Sequence, residues 1–343
     1  MTALPNFDHA DTSSTAEQAT YFGGLAEQAD FLRKIAKSAA DETVNAVVAE
    51  FFRDIDGEEP DEDVAVLRWN RDHPGAAPIR WDADAKVLAQ KIAQNALRDA
   101  GYPDDNIVFC GEEGGSGTHL LRAGNIIVRQ DVLDGSKLAQ RVMSDFSSVH
   151  LIDMVRPDRA RHMGGAIACA NGLTVSWANH SRFNGRDLWY PRPEGMIYLD
   201  GHRWAQPERR VRGLSYDRHA GTIAAVAAVP EKKEQLDRIL TQLDVTPNAI
   251  FTVGGTPLVA ALIAGSISML VEPNPVSLHD SALLLPFQLL GGHITDIEGN
   301  SLDYIRLYEQ HATELEATDK PIPGYIAWAG PQNLRRHTPI RKG

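Results

Sequence analysis

The chain has 343 residues, with 46 Asp and Glu against 34 Lys and Arg, for a formal net charge of -12. Hydrophobic residues at 43% and charged residues at 23% are the composition of a folded globular protein. The acidity excludes a broad nucleic-acid surface, which needs clustered Lys and Arg. The two cysteines, Cys110 and Cys169, exclude a disulfide framework or a cysteine-rich zinc module and read as buried, reduced thiols. The length fits one large domain or two smaller ones. The first residues show no basic stretch followed by an apolar one, and the longest apolar run, 258–271, falls short of the roughly 18 residues that span a bilayer. A cytoplasmic protein without membrane contact is expected.

In chain order, apolar residues at three- and four-residue spacings predict a helix over 16–52, with a break or a bend at Ser38. The acidic, Pro- and Gly-containing stretch 54–78 reads as a surface loop. A helix follows at 84–100, stopped by Gly101 and Pro103. A strand at 107–110 runs into Gly111-Glu112-Glu113, and a strand at 125–129 feeds Asp131-Val132-Leu133-Asp134-Gly135-Ser136. The stretch 137–155 reads as helix, with Pro157 as its stop. Residues 164–204 alternate short β-rich runs with turn signals such as Asn171-Gly172, Asn184-Gly185 and Asp200-Gly201. Beyond them come a strand at 223–229, a helix at 231–243, a strand at 251–253, and helices at 257–264 and 280–290. Mixed α and β in two layered halves is the expected architecture.

The chemistry-bearing residues are carboxylates at strand ends. In Asp131-x-x-Asp134-Gly135-Ser136, a turn can aim both carboxylates the same way, and Gly135 permits close backbone approach. If Ser136 opens a helix, the unpaired N–H groups there suit a phosphate. Carboxylate oxygens beside a phosphate are what Mg²⁺ takes, and two such ions about 3.5–4 Å apart serve an in-line displacement. Taken alone, the hexapeptide reads as a plain turn with a helix cap, and Glu112-Glu113 as a solvated pair.

The ordered set resembles the inositol monophosphatase superfamily, which includes fructose-1,6-bisphosphatases and bisphosphate nucleotidases. Gly111-Glu112-Glu113 is similar to its Gly-Glu-Glu motif. Residues 131–136 are similar to its Asp-Pro-x-Asp-Gly-Thr/Ser motif, with Val132 in place of the proline. His279-Asp280-Ser281-Ala282 is similar to Trp-Asp-x-Ala, with His279 in place of the tryptophan, and the Gly291–Gly299 segment to the glycine-rich motifs that follow. Ala83-Asp84 resembles an upstream Thr-Asp, and Gly254-Gly255-Thr256 a Gly-Ser-Ala helix start. The resemblance runs from Asp84 to Gly299.

It implies a layered α-β-α-β-α sandwich of the sugar-phosphatase type. Residues 1–15 are then a flexible N-terminus, 16–215 an α+β part carrying the metal-binding carboxylates, and 216–335 an α/β part completing the site. It also implies Mg²⁺-dependent hydrolysis of a small phosphate monoester, an inositol or sugar phosphate, by metal-activated water, with two or three ions. Glu112, Asp131 and the Leu133 carbonyl would hold one metal; Asp131, Asp134 and Asp280 another. Asp84 and Ser136 would orient or deprotonate the water, with Glu113 behind them, and Gly135, Ser136, Gly255 and Thr256 would meet the substrate. A homodimer is implied as well. The alternatives are a nucleotide phosphatase acting on a 3′-phosphate or bisphosphate nucleotide, and a catalytically silent ligand-binding homologue.

Two features sit outside the motifs. Against the simple inositol phosphatases, 137–163 carries about fifteen additional residues, expected to shape the pocket or a subunit contact. The arginines from Arg182 to Arg218, with Trp177, Trp189, Tyr190 and Trp204, read as a basic rim for an anionic substrate or as a solvated hairpin surface with packed aromatics. His279 and His293 read as structural, and none of the twelve histidines has zinc-site spacing.

Overall fold

The computed structural model describes residues 15–56, 79–111, 122–134, 146–157, 159–179, 195–201, 206–211, 214, 222–225, 230–242, 249–252, 256–264, 266–312 and 322–328. The boundary expected at 215/216 and the tryptophans at 189 and 204 lie outside them, as do Arg182, Arg186, Arg192, Arg203, Arg212 and Arg218.

Helix α1, Thr15–Asp56, is continuous for 42 residues. No break interrupts it at Ser38, whose exposed hydroxyl donates to Glu42 one turn later. Ala29, Leu32, Ile35, Ala36, Ala39, Ala40, Val44 and Val47 make its buried stripe. Helix α2, Ile79–Asp99, buries Ala85, Ala89, Ala93 and Leu97 at four-residue spacing, and the three alanines let it lie close to its neighbours. It ends where Gly101 takes a φ of 93°, while the Tyr102 N–H reaches back to the Leu97 carbonyl.

The first sheet has seven strands in chain order: β1 Ile107–Gly111, β2 Ile126–Asp134, β3 Ser147–Val155, β4 Ala160–Cys169, β5 Thr174–Asn179, β6 Gly195–Gly201 and β7 Gln206–Val211. Only β1 and β2 pair in parallel; the others form an antiparallel meander. The helix expected over 137–155 is corrected here. Residues 147–155 are strand β3, and 137–145 lie outside the described residues. Every residue of β3 is buried, the polar Ser147, Ser148, His150 and Asp153 included, so polar and apolar residues do not alternate between a wet and a dry face. The additional length expected in 137–163 therefore contains part of a central β3–β4 hairpin.

The second sheet has the order β11-β12-β10-β8-β9. Its strands are β8 Thr222–Ala225, β9 Ala249–Thr252, β10 Met269–Glu272, β11 His293–Asp296 and β12 Tyr325–Trp328. The remaining helices are α3 Pro230–Gln242, α4 Val259–Ala264, α5 Leu284–Leu289 and α6 Tyr304–His311. The helix expected over 280–290 is helical only in α5, with 278–283 in successive turns.

Three apolar clusters stack these parts. One joins α1 and α2 to one face of the first sheet through Leu32, Val44, Ile126, Val128 and Ile152. The second fills the space between the sheets with Leu262, Leu284, Phe287, Tyr304 and Tyr308, meeting Ile127, Leu151 and Trp177 on one side and Leu270, Ile294 and Tyr325 on the other. The third packs Leu236, Ile239 and Leu240 of α3 on Met269, Val271 and Ile326. The layers are thus α-β-α-β-α, as expected from the resemblance.

A polar network that the sequence did not announce crosses the middle layer. Trp177 Nε1 donates to His162 Nε2 at 2.8 Å, so the ring proton lies on Nδ1 and is donated to Asp153 Oδ1, also at 2.8 Å. Asp153 Oδ2 accepts from Tyr308 at 2.9 Å and from Arg129 Nε at 3.3 Å. Arg129 also donates to the Ala312 carbonyl, just past α6.

Candidate metal centre

β2 carries the first carboxylates. The sequence placed Asp131 and Asp134 in a turn after the strand; they lie within it, at a bulge. Asp131 stands opposite Val149 and Asp134 opposite Ser147, so β2 advances three residues while β3 advances two. The Leu133 N–H turns back to Asp131 Oδ1 at 3.2 Å. Val132, where the resemblance led to a proline, is fully buried in the α1–α2 cluster, and the strand passes through it. On the other side of β2, Gly111 at the end of β1 pairs with Gln130, one residue before Asp131.

Asp134 is held from the second half of the molecule. Thr256 opens a 3-10 turn, Thr256–Leu258, and donates both its N–H (2.8 Å) and its hydroxyl (2.6 Å) to Asp134 Oδ2. With that proton committed, Ser147 of β3 donates to Thr256 Oγ1 at 2.6 Å. Thr256 was expected to meet substrate; it is fully buried, and its polar groups face Asp134. Burial pushes the Asp134 carboxyl above its ordinary pKa, the negative charge of Asp280 adds to this, and the two Thr256 hydrogen bonds act against it.

Asp280 sits in the turns before α5. Ser277 Oγ donates to Asp280 Oδ2 at 2.7 Å and accepts the Asp280 N–H at 3.3 Å, a reciprocal cap of the Ser-x-x-acid kind. Ser281 anchors the same turn through the Ser277 carbonyl and receives the Tyr304 hydroxyl. Asp280 Oδ1 then lies 3.8 Å from His279 Nε2.

One donor atom each from Asp131, His279 and Asp280 fall within 4.8 Å of one another. Two anionic oxygens and an imidazole nitrogen brought together from β2 and a turn of the other half are a donor set that fits a divalent cation. Of the expected ligands, Asp131 and Asp280 are in this group. Asp134 lies outside it, its Oδ2 held by Thr256, and Leu133 is buried at the bulge. Glu112, Glu113, Gly135, Ser136 and Gly255 fall outside the described residues; Asp84 is in α2, its side chain likewise outside.

Sequence reasoning missed the supports of the site. Ser277 could have been found from its Ser-x-x-Asp spacing to Asp280. Ser147 and Thr256 are 109 positions apart in the chain, and no local pattern links them.

No protein-family model matches the chain, and no curated protein sequence does. Solved structures do resemble it. Mycobacterium tuberculosis SuhB superposes with a TM-score of 0.53 at 14% identity, covering 90% of this chain and 98% of SuhB. CysQ from Bacteroides thetaiotaomicron, a bacterial member of the inositol monophosphatase family, gives 0.52 at 13% identity over 87% and 96% of the two chains. The inositol monophosphatase from Anabaena (Nostoc) sp. PCC 7120 gives 0.50 at 14% identity over 90% and 96%. The overall fold is the one these three proteins share.

Proposed function

We propose that this chain, which has the inositol monophosphatase fold, is a divalent-cation-dependent phosphatase of small phosphate monoesters, with inositol and sugar phosphates as the first substrates to test. The observation that carries this is the convergence of Asp131 with His279 and Asp280 from the two halves of the fold. Mg²⁺ is the ion that the sequence resemblance implies. A bound cation would offset the charge of the phosphoryl group and of the leaving oxygen.

The chain's own residues supply position and charge. Asp131, at a strand bulge and 3% exposed, has little freedom to move away from the cation. Thr256 keeps Asp134 turned toward the second half, and Ser277 fixes one Asp280 oxygen so that the other faces the cluster. The amides of Gly135, Ser136 and Gly255 are assigned to the phosphate, and the Ser136 hydroxyl with the Asp84 carboxylate to the proton of the attacking water. Glu113 stands behind that pair, and Glu112 and the Leu133 carbonyl complete the cation ligands. These assignments follow the motif resemblance. Hydrolysis then forms one P–O bond from water and breaks the ester P–O bond, and the alcohol leaves with a proton.

The test is phosphate release from inositol, sugar and nucleotide phosphates, with divalent cation or with EDTA. Cation-dependent release that falls at least about 100-fold in Asp131→Asn is expected. A folded, cation-loaded chain inactive on the whole panel would overturn the phosphatase reading.

A further inference from the structure

His279 occupies an unusual place for a histidine with no role. Its side chain is 9% exposed, and among the described residues its ring makes no hydrogen bond. Asp280 Oδ1 lies 3.8 Å from Nε2, too far for a hydrogen bond. That spacing suits two donors on one ion: ligand atoms each about 2.1 Å from a metal lie about 3.0–4.2 Å apart. The Ser277 hydrogen bond to Oδ2 leaves Oδ1 as the Asp280 oxygen nearest the ring.

Donor type then selects the ion. Mg²⁺ takes an all-oxygen shell, whereas imidazole nitrogen favours first-row transition ions over the alkaline earths. We infer that His279 ligates a divalent first-row transition ion together with Asp131 and Asp280, so that this position prefers such an ion to Mg²⁺. The inference deepens the phosphatase reading by naming the ion class at one metal position, and rests on that reading only for the use to which the ion is put.

The test uses the full chain, stripped of metal and loaded with Mn²⁺. Pulsed electron paramagnetic resonance should show ¹⁴N coupling to the bound ion in the wild type. Coupling should disappear in His279→Phe, which keeps an aromatic ring, and in His279→Gln, which keeps a polar group; circular dichroism checks the fold of each. Mn²⁺ affinity should fall about tenfold or more in both, and Mg²⁺ affinity less than about threefold. Bound Mn²⁺ with oxygen ligands alone, coupling that survives in a folded variant, or no Mn²⁺ binding would each overturn the inference. Because the readout is spectroscopic, nitrogen-coupled Mn²⁺ in a chain that hydrolyses nothing would sink only the phosphatase proposal. Mg²⁺-dependent hydrolysis without nitrogen coupling would sink only this one.

Discussion

Thr256 reaches the site through another side chain. Its hydroxyl and N–H both go to Asp134 Oδ2, and Ser147 supports the hydroxyl from behind. Thr256→Val keeps the volume and removes the hydroxyl, leaving Asp134 one donor short. If Asp134 ligates a cation, as the motif resemblance implies, cation affinity should weaken about 10- to 100-fold, as for losses of supporting hydrogen bonds at metal sites, and Thr256→Ser should restore it. Equal cation affinity in the valine variant and the wild type would mean that Asp134 is placed by the backbone alone. At this scale the sequence was partly legible. Asp131 and Asp280 could be chosen because carboxylates at strand and helix ends form a short menu. The part of Thr256 in holding Asp134, and that of Ser147, depends on where distant segments meet. His279 looked like a structural substitution because its neighbours in sequence say nothing of the oxygens it faces in space.

Among the elements, β4 shows how tightly the first sheet is built. A Cβ on Gly165 would stand 2.7 Å from the His150 carbonyl oxygen on β3 and 2.7 Å from the Trp177 ring on β5. Neither neighbour can yield, since one is backbone and the other is fully buried and donates to His162. Gly165→Ala should therefore cost roughly 1–3 kcal/mol, read as a lower urea midpoint with an unchanged slope. An unmoved midpoint would show that the sheet opens without strain. The helices α1 and α2 were legible because each keeps one wet face, which preserves the helical period. Strand β3 was not, because polar and apolar residues are buried on it alike, which erases the alternation that marks a strand, and 147–155 reads as helix from the sequence. The site strand was cut short for a related reason: Asp131 and Asp134 look like turn residues, and a bulge inside a strand uses the same residue types.

At the scale of the molecule, the Asp153 network and Glu309 tie α6 to the first sheet. Glu309 Oε1 accepts the His162 N–H at 3.0 Å, while Oε2 is buried without a hydrogen bond. Burial pushes this carboxyl up to about 8; the His162 N–H and the charges of Arg161 and Arg159 oppose the rise, and Asp153 adds to it. A carboxyl raised in the folded state stabilises that state fully below its ordinary pKa of 4.5 and loses the contribution as pH climbs toward about 8. Glu309→Gln keeps the acceptor and removes the titration. Relative to wild type it should gain on the order of 2 kcal/mol between pH 5 and pH 8.5, seen as a flatter dependence of Tm on pH. A constant difference between the two proteins across that range would show that Glu309 does not change protonation on unfolding. The layered plan was legible only through the motif resemblance. Composition and periodicity gave helices and strands but no rule for stacking them, and the network from Arg129 to Tyr308 joins positions 179 residues apart.

The strand order of the first sheet sets a timetable. Its strands lie side by side in the sequence in which they are made, so each can pair with the one before it as the chain is synthesised. The second sheet is threaded out of order, and β10 must wait for β12, which follows it by more than fifty residues, before its antiparallel pairing can close. Asp131 and Asp134 thus lie on the sheet whose strands can pair first, while Asp280 comes from a later segment. The repulsion among these acids is met at the last docking event, and a cation present at that moment would hasten assembly of the two halves without affecting the birth of the first.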